Sequence, residues 1–282
     1  MTARSALAHA KINLILETGA RRADGYHDID TVLQEIELAD RVTISFGEFE
    51  GMRVGGPFAS GTPAGQSNLA WRAAAELAQR CGRTLDGLGI ALEKHIPAAG
   101  GLGGGASDAA TVLRLLQQQW AASDSMLLDC ANAIGSDEAF FLTGGTARAR
   151  GRGELVEPLA PLHPHDVVLF IPVDTIEHKT ARLFEAMDAV PGVPMTAGAA
   201  FARTMPRTLA ATDVTNSFES VARDVFAGLG ALWAELERRC GVPVHLAGAG
   251  PTLFWIGPPG AGAPVAKAAA GLQCTVVETR TL

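Results

Sequence analysis

Pro97-Ala-Ala-Gly-Gly-Leu-Gly-Gly-Gly-Ala-Ser-Asp108 is the stretch on which the fold turns. Five glycines in six residues, Gly100 to Gly105, do nothing for a packed core. They cost conformational entropy, and they let backbone N–H groups approach a ligand closely. The run passes straight into Ala109, Ala110, Val112, Leu113, Leu115, Leu116 and Trp120, whose spacing predicts an apolar helix. A helix start offers unpaired N–H groups and the positive end of a dipole, and phosphate suits both. A P-loop would end in Gly-Lys-Ser/Thr, and no lysine follows here. Gly101-x-Gly103-x-x-Ala106 nominally fits a dinucleotide fingerprint, yet no doubly wound unit with an acidic strand end surrounds it. A plain connecting loop is the competing reading, and this density of glycine ahead of a helix favours phosphate.

Working outward, Ala10-Lys-Ile-Asn-Leu-Ile-Leu16 alternates like a strand, with Ile12, Leu14 and Leu16 on one face and Lys11 and Asn13 on the other. Strand patterns return over 26–38, 41–46 and 88–93, with a Gly-, Pro- and Ser-rich loop over 56–67 and a helix over 68–80. A second helix is expected over 124–134. The Gly- and Pro-rich stretch 151–165 is a candidate domain boundary. Beyond it the pattern reads strand (166–173), short helix (180–188), long amphipathic helix (219–239), strand-turn-strand (243–256), helix (264–271) and strand (273–280). The composition of 189–213 allows helix or loop. No solenoid or propeller repeat is present. Antiparallel strands with helices on one side argue an α+β fold.

The 282 residues suffice for one large domain or two ordinary ones. With 48% hydrophobic residues and a mean hydropathy of +0.17, the chain can bury a substantial core. The net charge of −7 argues against nucleic acid as a partner, while a small polyanion needs only a local cationic pocket. No apolar run approaches the ~20 residues of a membrane span. His9, Lys11 and Asn13 interrupt any signal-peptide core. Cys81, Cys130, Cys240 and Cys274 form no zinc spacing and read as reduced thiols of a cytoplasmic protein. No metal-ligand set is assigned.

Four further segments carry candidate chemistry. Lys11 and Asn13 are either a solvated strand face or a cation and an amide at a site; Lys11 is the only lysine in the first ninety residues. Asp137, in Ile134-Gly-Ser-Asp-Glu-Ala-Phe-Phe141, is either a cap or a base for a substrate hydroxyl. Arg22-Ala-Asp-Gly-Tyr-His-Asp28 holds the single tyrosine beside a histidine, and both rings could stack on a flat heterocycle or simply pack in a hairpin. Ala247-Gly-Ala-Gly-Pro-Thr-Leu-Phe254 is a second Gly-rich turn between strands.

In order, these segments resemble the GHMP kinase superfamily. The likeness rests on a Lys-bearing N-terminal strand, a Pro-x-x-x-Gly-Leu-Gly-Gly-Gly-x-Ser loop and a C-terminal Gly-rich turn. Ala10-Lys-Ile-Asn-Leu14, Arg22-x-Asp-Gly-Tyr-His27, Asn68-Leu69 and Asn216-Ser-Phe-Glu219 are similar to the branch that acts on 4-diphosphocytidyl-2-C-methyl-D-erythritol. The resemblance implies a two-domain α+β fold: 1–155 like ribosomal-protein S5 domain 2, and 156–282 ferredoxin-like. It implies transfer of the ATP γ-phosphoryl to the C2 hydroxyl of that substrate, with Mg²⁺, in the non-mevalonate isoprenoid pathway. It makes Asp137 and Lys11 the catalytic pair. Asn68, Lys94, Pro97, Gly100, Gly101, Leu102, Gly103, Gly104, Gly105, Ala106 and Ser107 become the ATP contacts. Asn13, Tyr26, His27, Thr180 and Phe184 become the cytidylated substrate's contacts, Phe184 closing a slot for cytosine. A cytoplasmic monomer or weak homodimer working on small molecules, without nucleic acid or membrane, completes the expectation. A kinase of the same fold with another alcohol or phosphate acceptor, or a non-catalytic nucleotide-binding relative, are the alternatives. The chain departs from the branch at Ala106, where a second serine is usual, at Glu138-Ala139 in place of Val-Pro, and at Ala249 and Pro251.

Overall fold

The computed structural model describes residues 3–23, 25–173, 179–190 and 194–282. Asp24, half of the predicted Asp-Gly turn, and 191–193, within the stretch left open between helix and loop, lie outside the described residues. In chain order the elements are β1 (Arg4–Arg21), β2 (His27–Phe46), β3 (Gly51–Gly55), α1 (Leu69–Cys81), β4 (Leu88–Glu93), α2 (Gly104–Trp120), α3 (Asp124–Ile134), α4 (Glu138–Thr143), β5 (Thr146–Gly151), β6 (Leu155–Pro158), β7 (Asp166–Pro172), α5 (Lys179–Met187), α6 (Ala197–Ala202), β8 (Thr215–Asn216), α7 (Glu219–Val225), α8 (Leu229–Cys240), β9 (His245–Leu246), β10 (Leu253–Gly257), α9 (Gly262–Ala268) and β11 (Cys274–Arg280).

Two compact units share the chain. The first comprises 1–10, 38–98 and 103–144; the second comprises 11–37, 99–102 and 145–282. They interleave in sequence, whereas the expected domains are contiguous halves meeting at 155/156. The reason is the length of β1 and β2, each of which contributes residues to both units.

In the first unit β4 pairs antiparallel with β2, Ile44 opposite Ile90, and parallel with β3, Met52 opposite Ile90. Helices α1 and α3 bury one stripe each in the core on that sheet, and α2 is buried on all sides from Ala106 to Leu113. Ala73 and Leu77 come from α1, Val112, Leu113 and Leu116 from α2, and Leu127 and Cys130 from α3; they meet Val42, Ile44, Leu88 and Leu92. Truncating Leu113 to alanine here costs ~2–5 kcal/mol. Asn68 caps α1, accepting from the N–H of Ala70 at 2.8 Å, and Gly82 closes it at φ +62°, a left-handed conformation that favours glycine.

In the second unit, β7 is one of the two inner strands of a four-stranded antiparallel sheet, order β11-β7-β10-β9. Phe170 stands between Leu253 and Val276. Being covered on both faces explains its unbroken apolar run. Trp233, Leu236, Leu229, Phe226 and Phe218 fill the core beside it. β2 pairs with β5, and β1 pairs in parallel with β8.

Several expectations change. The strand patterns 26–38 and 41–46 are one strand, because Asp40 is fully buried and accepts backbone N–H groups, so it marks no turn. The single helix expected over 219–239 breaks into α7 and α8. Gly228, at φ +78°, turns the chain between them. Hydrophobic periodicity runs across that break because both helices bury the same kind of stripe. The candidate boundary 151–165 contains β6, which pairs with β5. β3, β5, α4 and α6 are additional elements too short to show a period.

Candidate active site

In the second unit, β1 is covered on both faces at the centre of its run. Lys11 and Asn13 are 5% and 2% exposed, which overturns the solvated-face alternative. The Lys11 ammonium donates to Asn13 Oδ1 at 2.9 Å, Asn13 Nδ2 donates to Thr31 Oγ1 at 2.8 Å, and the Thr31 hydroxyl donates to Ile15 O at 2.6 Å. Because Thr31 spends its proton on a carbonyl, it can only accept from Asn13. That fixes the amide: nitrogen to threonine, oxygen to lysine.

The turn 247–252 lies against this pair. A Cβ on Gly248 would stand 2.9 Å from Lys11 Nζ and 3.2 Å from Asn13 Oδ1. The same turn backs the first part of the glycine loop. Gly101, at φ +87°, has room for no side chain, since a Cβ would meet Ala247 O at 2.0 Å. Thr252 N–H donates to Gly100 O at 3.3 Å, and Lys11 N–H donates to Leu102 O at 2.9 Å. Asn216 holds the turn from behind, its Nδ2 donating to Leu246 O at 2.9 Å and Gly248 O at 2.8 Å. Glu219 of the same segment accepts from Leu246 N–H at 2.9 Å.

The aromatic candidates lie in this unit as well. His27 is stacked on Phe184, centroids 4.8 Å apart and planes 20° apart, and Phe184 meets Phe218 edge-on at 5.0 Å. His27 Nδ1 faces Gly19 O at 2.9 Å and its Nε2 faces Asp188 Oδ1 at 3.3 Å. Tyr26 is 54% exposed, with the Arg152 guanidinium 5.0 Å above its ring. Thr180 is exposed at the start of α5. His27 and Phe184 are thus in direct ring contact, and Tyr26 lies exposed beside Arg152.

In the first unit, Gly103 takes a left-handed conformation, φ +74°, and no side chain caps α2. Its opening N–H groups are therefore left for solvent or a ligand. Gly105 is exposed, while Ala106 and Ser107 turn inward. Pro97 is buried. Asn68 and Lys94, expected at the nucleotide, have other employment for their side chains. Asn68 caps α1 and donates to Pro63 O at 2.7 Å. Lys94 is 2% exposed, and its ammonium is held by the carboxylates of Asp40 and Asp108.

Asp137 stands at the cap position of α4, yet its side chain makes no capping hydrogen bond. The neighbouring carboxylate works differently. Glu138 is buried and folds over Gly135, where a Cβ would come 2.4 Å from Oε2. Burial pushes Glu138 up to about 7, the Asp137 charge adds to the rise, and backbone N–H groups and Arg72 oppose it. Among the described residues no group of three or more histidines, cysteines and carboxylates could hold a metal ion, and no helix is long and apolar enough to cross a membrane.

The family described as GHMP kinases N terminal domain matches residues 68–145, which include α2 and its glycine loop from Gly100 onward. A 4-diphosphocytidyl-2-C-methyl-D-erythritol kinase of Pelotomaculum thermopropionicum is 37% identical over 89% of this chain and 88% of its own. That of Moorella thermoacetica is 36% identical over 96% and 95%. A crystal structure of 4-(cytidine 5'-diphospho)-2C-methyl-D-erythritol kinase superposes with a TM-score of 0.77 at 33% identity, covering 99% of both chains.

The chain belongs to the 4-diphosphocytidyl-2-C-methyl-D-erythritol kinase family.

Its fold is the mixed α+β fold of GHMP kinases. Within this kinase family member, sequence reasoning passed over Thr31, which sets the Asn13 amide, and Lys179, whose ammonium donates to Gly250 O and to Ala249 O at 3.4 Å. It also passed over Asp40 and Asp108 as partners of Lys94. Only the last left a signal: an aspartate closing a strand pattern and another opening a helix, each amid apolar neighbours.

Proposed function

We propose that this chain transfers the γ-phosphoryl group of ATP to the C2 hydroxyl of 4-diphosphocytidyl-2-C-methyl-D-erythritol. The bond from the γ-phosphorus to the bridging oxygen breaks, a bond to the C2 oxygen forms, and ADP leaves. The observation that carries the reading is identity above a third with kinases of that name along nearly the whole chain.

The roles follow from local chemistry. The N–H groups of 100–107 and the start of α2 receive the triphosphate, which arrives as its magnesium complex. Asp137 accepts the C2 hydroxyl proton, late in a loose transition state. Lys11, aimed by Asn13, stabilises the negative charge on the transferring group. Tyr26, His27, Thr180 and Phe184 bind the cytidine end and contribute binding energy remote from the reacting atoms. Asn68 and Lys94 contribute to the nucleotide site through the segments they brace, their side chains being engaged elsewhere. The reading includes a cytoplasmic monomer or weak homodimer acting on small molecules.

An ADP-release assay with ATP, in the presence and absence of the cytidylated erythritol, tests it. ADP release that depends on this acceptor is expected. Turnover of homoserine or mevalonate but not of the cytidylated erythritol would overturn it.

A further inference from the structure

Under the first turn of α2 lies an ionic cluster whose side chains take no direct part in phosphoryl transfer. Asp40, Lys94 and Asp108 are 0%, 2% and 1% exposed. Both carboxylates converge on the single Lys94 ammonium, the Asp108 Oδ2 at 2.5 Å. The two acids are not equally served. Asp40 Oδ1 also accepts the N–H groups of His95 and Ile96, the latter at 2.8 Å. Asp108 meets only side chains, Lys94 and the Asp40 carboxyl, and its Oδ1 is buried with no hydrogen-bond partner. With both acids ionised the cluster carries one negative charge more than its cation cancels.

That excess sits where an anion is expected. Gly104, the first residue of α2, is so close that a Cβ there would come 2.9 Å from Ile96 Cγ2 and 3.4 Å from Asp40 Oδ2. Asp108 is five residues into the helix whose opening N–H groups have no side-chain cap. A buried negative charge at this place opposes an incoming triphosphate, and proton uptake by the less satisfied acid removes it.

We propose that Asp108 is a positioning residue of the nucleotide site that takes up a proton from solvent when the ATP phosphates bind at the start of α2. In the bound state one carboxylate, Asp40, then pairs with one ammonium, Lys94, and the Asp108 proton returns to solvent when the nucleotide leaves. The inference rests on the reading of 100–107 as the phosphate loop.

Burial already lifts Asp108 to about 7; Lys94 opposes that rise and Asp40 adds to it. Other elements packed on α2 bring charges that are otherwise engaged. Arg72 of α1 and Glu138 of α4 act on one another, Asp129 of α3 lies 3.8 Å from Arg80 of α1, and Asp124 accepts from Gln117 at the far end of α2.

Calorimetric titration of the full chain with MgADP at pH 7.5, in HEPES and in Tris at equal ionic strength, tests this. The two buffers differ in ionisation enthalpy, so uptake of a fraction of a proton per nucleotide appears as a difference between the two heats. Asp108→Asn removes most of that difference. In the unaltered chain MgADP affinity also weakens several-fold between pH 6.5 and pH 8.5, which requires no variant to fold. Buffer-independent heats, a flat pH series, or an Asp108→Asn chain with the original buffer dependence and only a lower melting temperature would each overturn the proposal. Binding without proton linkage defeats the Asp108 inference alone. No MgADP binding at millimolar concentration defeats the phosphate-loop reading with it.

Discussion

His27 and Phe184 lie ring on ring, 4.8 Å between centroids and 20° from parallel. That separation is already the contact distance of an aromatic pair, so no third ring fits between them. On the proposed reading, a cytosine at this pair uses an outer face or displaces Phe184 from His27, and Phe184 then stacks on the cytosine itself or supports the His27 ring that does. Phe184→Ala should raise KM for the cytidylated acceptor by about tenfold, from roughly 1.4 kcal/mol of lost stacking, with a smaller change in kcat. Steady-state kinetics with the acceptor varied checks this, and an unchanged KM removes Phe184 from the substrate site.

Asp137 and Lys11 should fail differently from the aromatics. Asp137→Asn removes the proposed proton acceptor and should lower kcat by about 10²–10⁴ with acceptor Kd little changed. Lys11→Met should lower kcat by about 10²–10³. Rapid-quench single turnovers would separate these effects from binding. Near-normal kcat in Asp137→Asn would mean that another group takes the proton.

Thr31 gives a subtler test of the same machinery. Thr31→Val deletes the hydroxyl that fixes the Asn13 amide, so Asn13 can present its nitrogen to Lys11 instead of its oxygen. We expect lower kcat with ATP and acceptor KM nearly unchanged. A Thr31→Val enzyme with full kcat would show that Lys11 does not need this support.

Glu138 should tie stability to pH. Its folded pKa of about 7 lies above the model-peptide value of 4.5. Between those values the folded state holds a proton that the unfolded state has lost, so stability falls as pH rises through the window. The cost is complete above pH 7 and absent below 4.5, and is on the order of 3 kcal/mol. Glu138→Gln carries no such charge. Its melting temperature relative to the parent should therefore rise between pH 5 and pH 8. A pH-independent difference would contradict the burial argument.

Gly101 tests the packing of the loop on the 247–252 turn. A Cβ would stand 2.0 Å from Ala247 O on a backbone at φ +87°. Gly101→Ala should lower the melting temperature by several degrees and weaken nucleotide binding, whereas Gly105→Ala, on the exposed side of the loop, should be milder. Equal melting temperatures for the two variants would show that the loop does not rest on that turn.

Elements whose causes are local can be read from residue order alone. Glycine density before an apolar helical stripe made α2 and its loop legible, as did the strand alternation at 10–16 and the two-fold-covered run at 166–172. Residue order also singled out Lys11, Asp137 and the Tyr26-His27 pair as candidates for chemistry. Tertiary structure alone decided which partners those side chains meet. A period-two pattern cannot say that both faces of β1 are covered, so Lys11 and Asn13 could be read as solvated until their burial was seen. Lys94 chose carboxylates 54 and 14 residues away, and Phe184 chose His27, because burial makes an unmet charge or ring costly and packing supplies the nearest satisfaction. Such choices depend on which segments come together in space, and residue spacing along a chain carries no record of that.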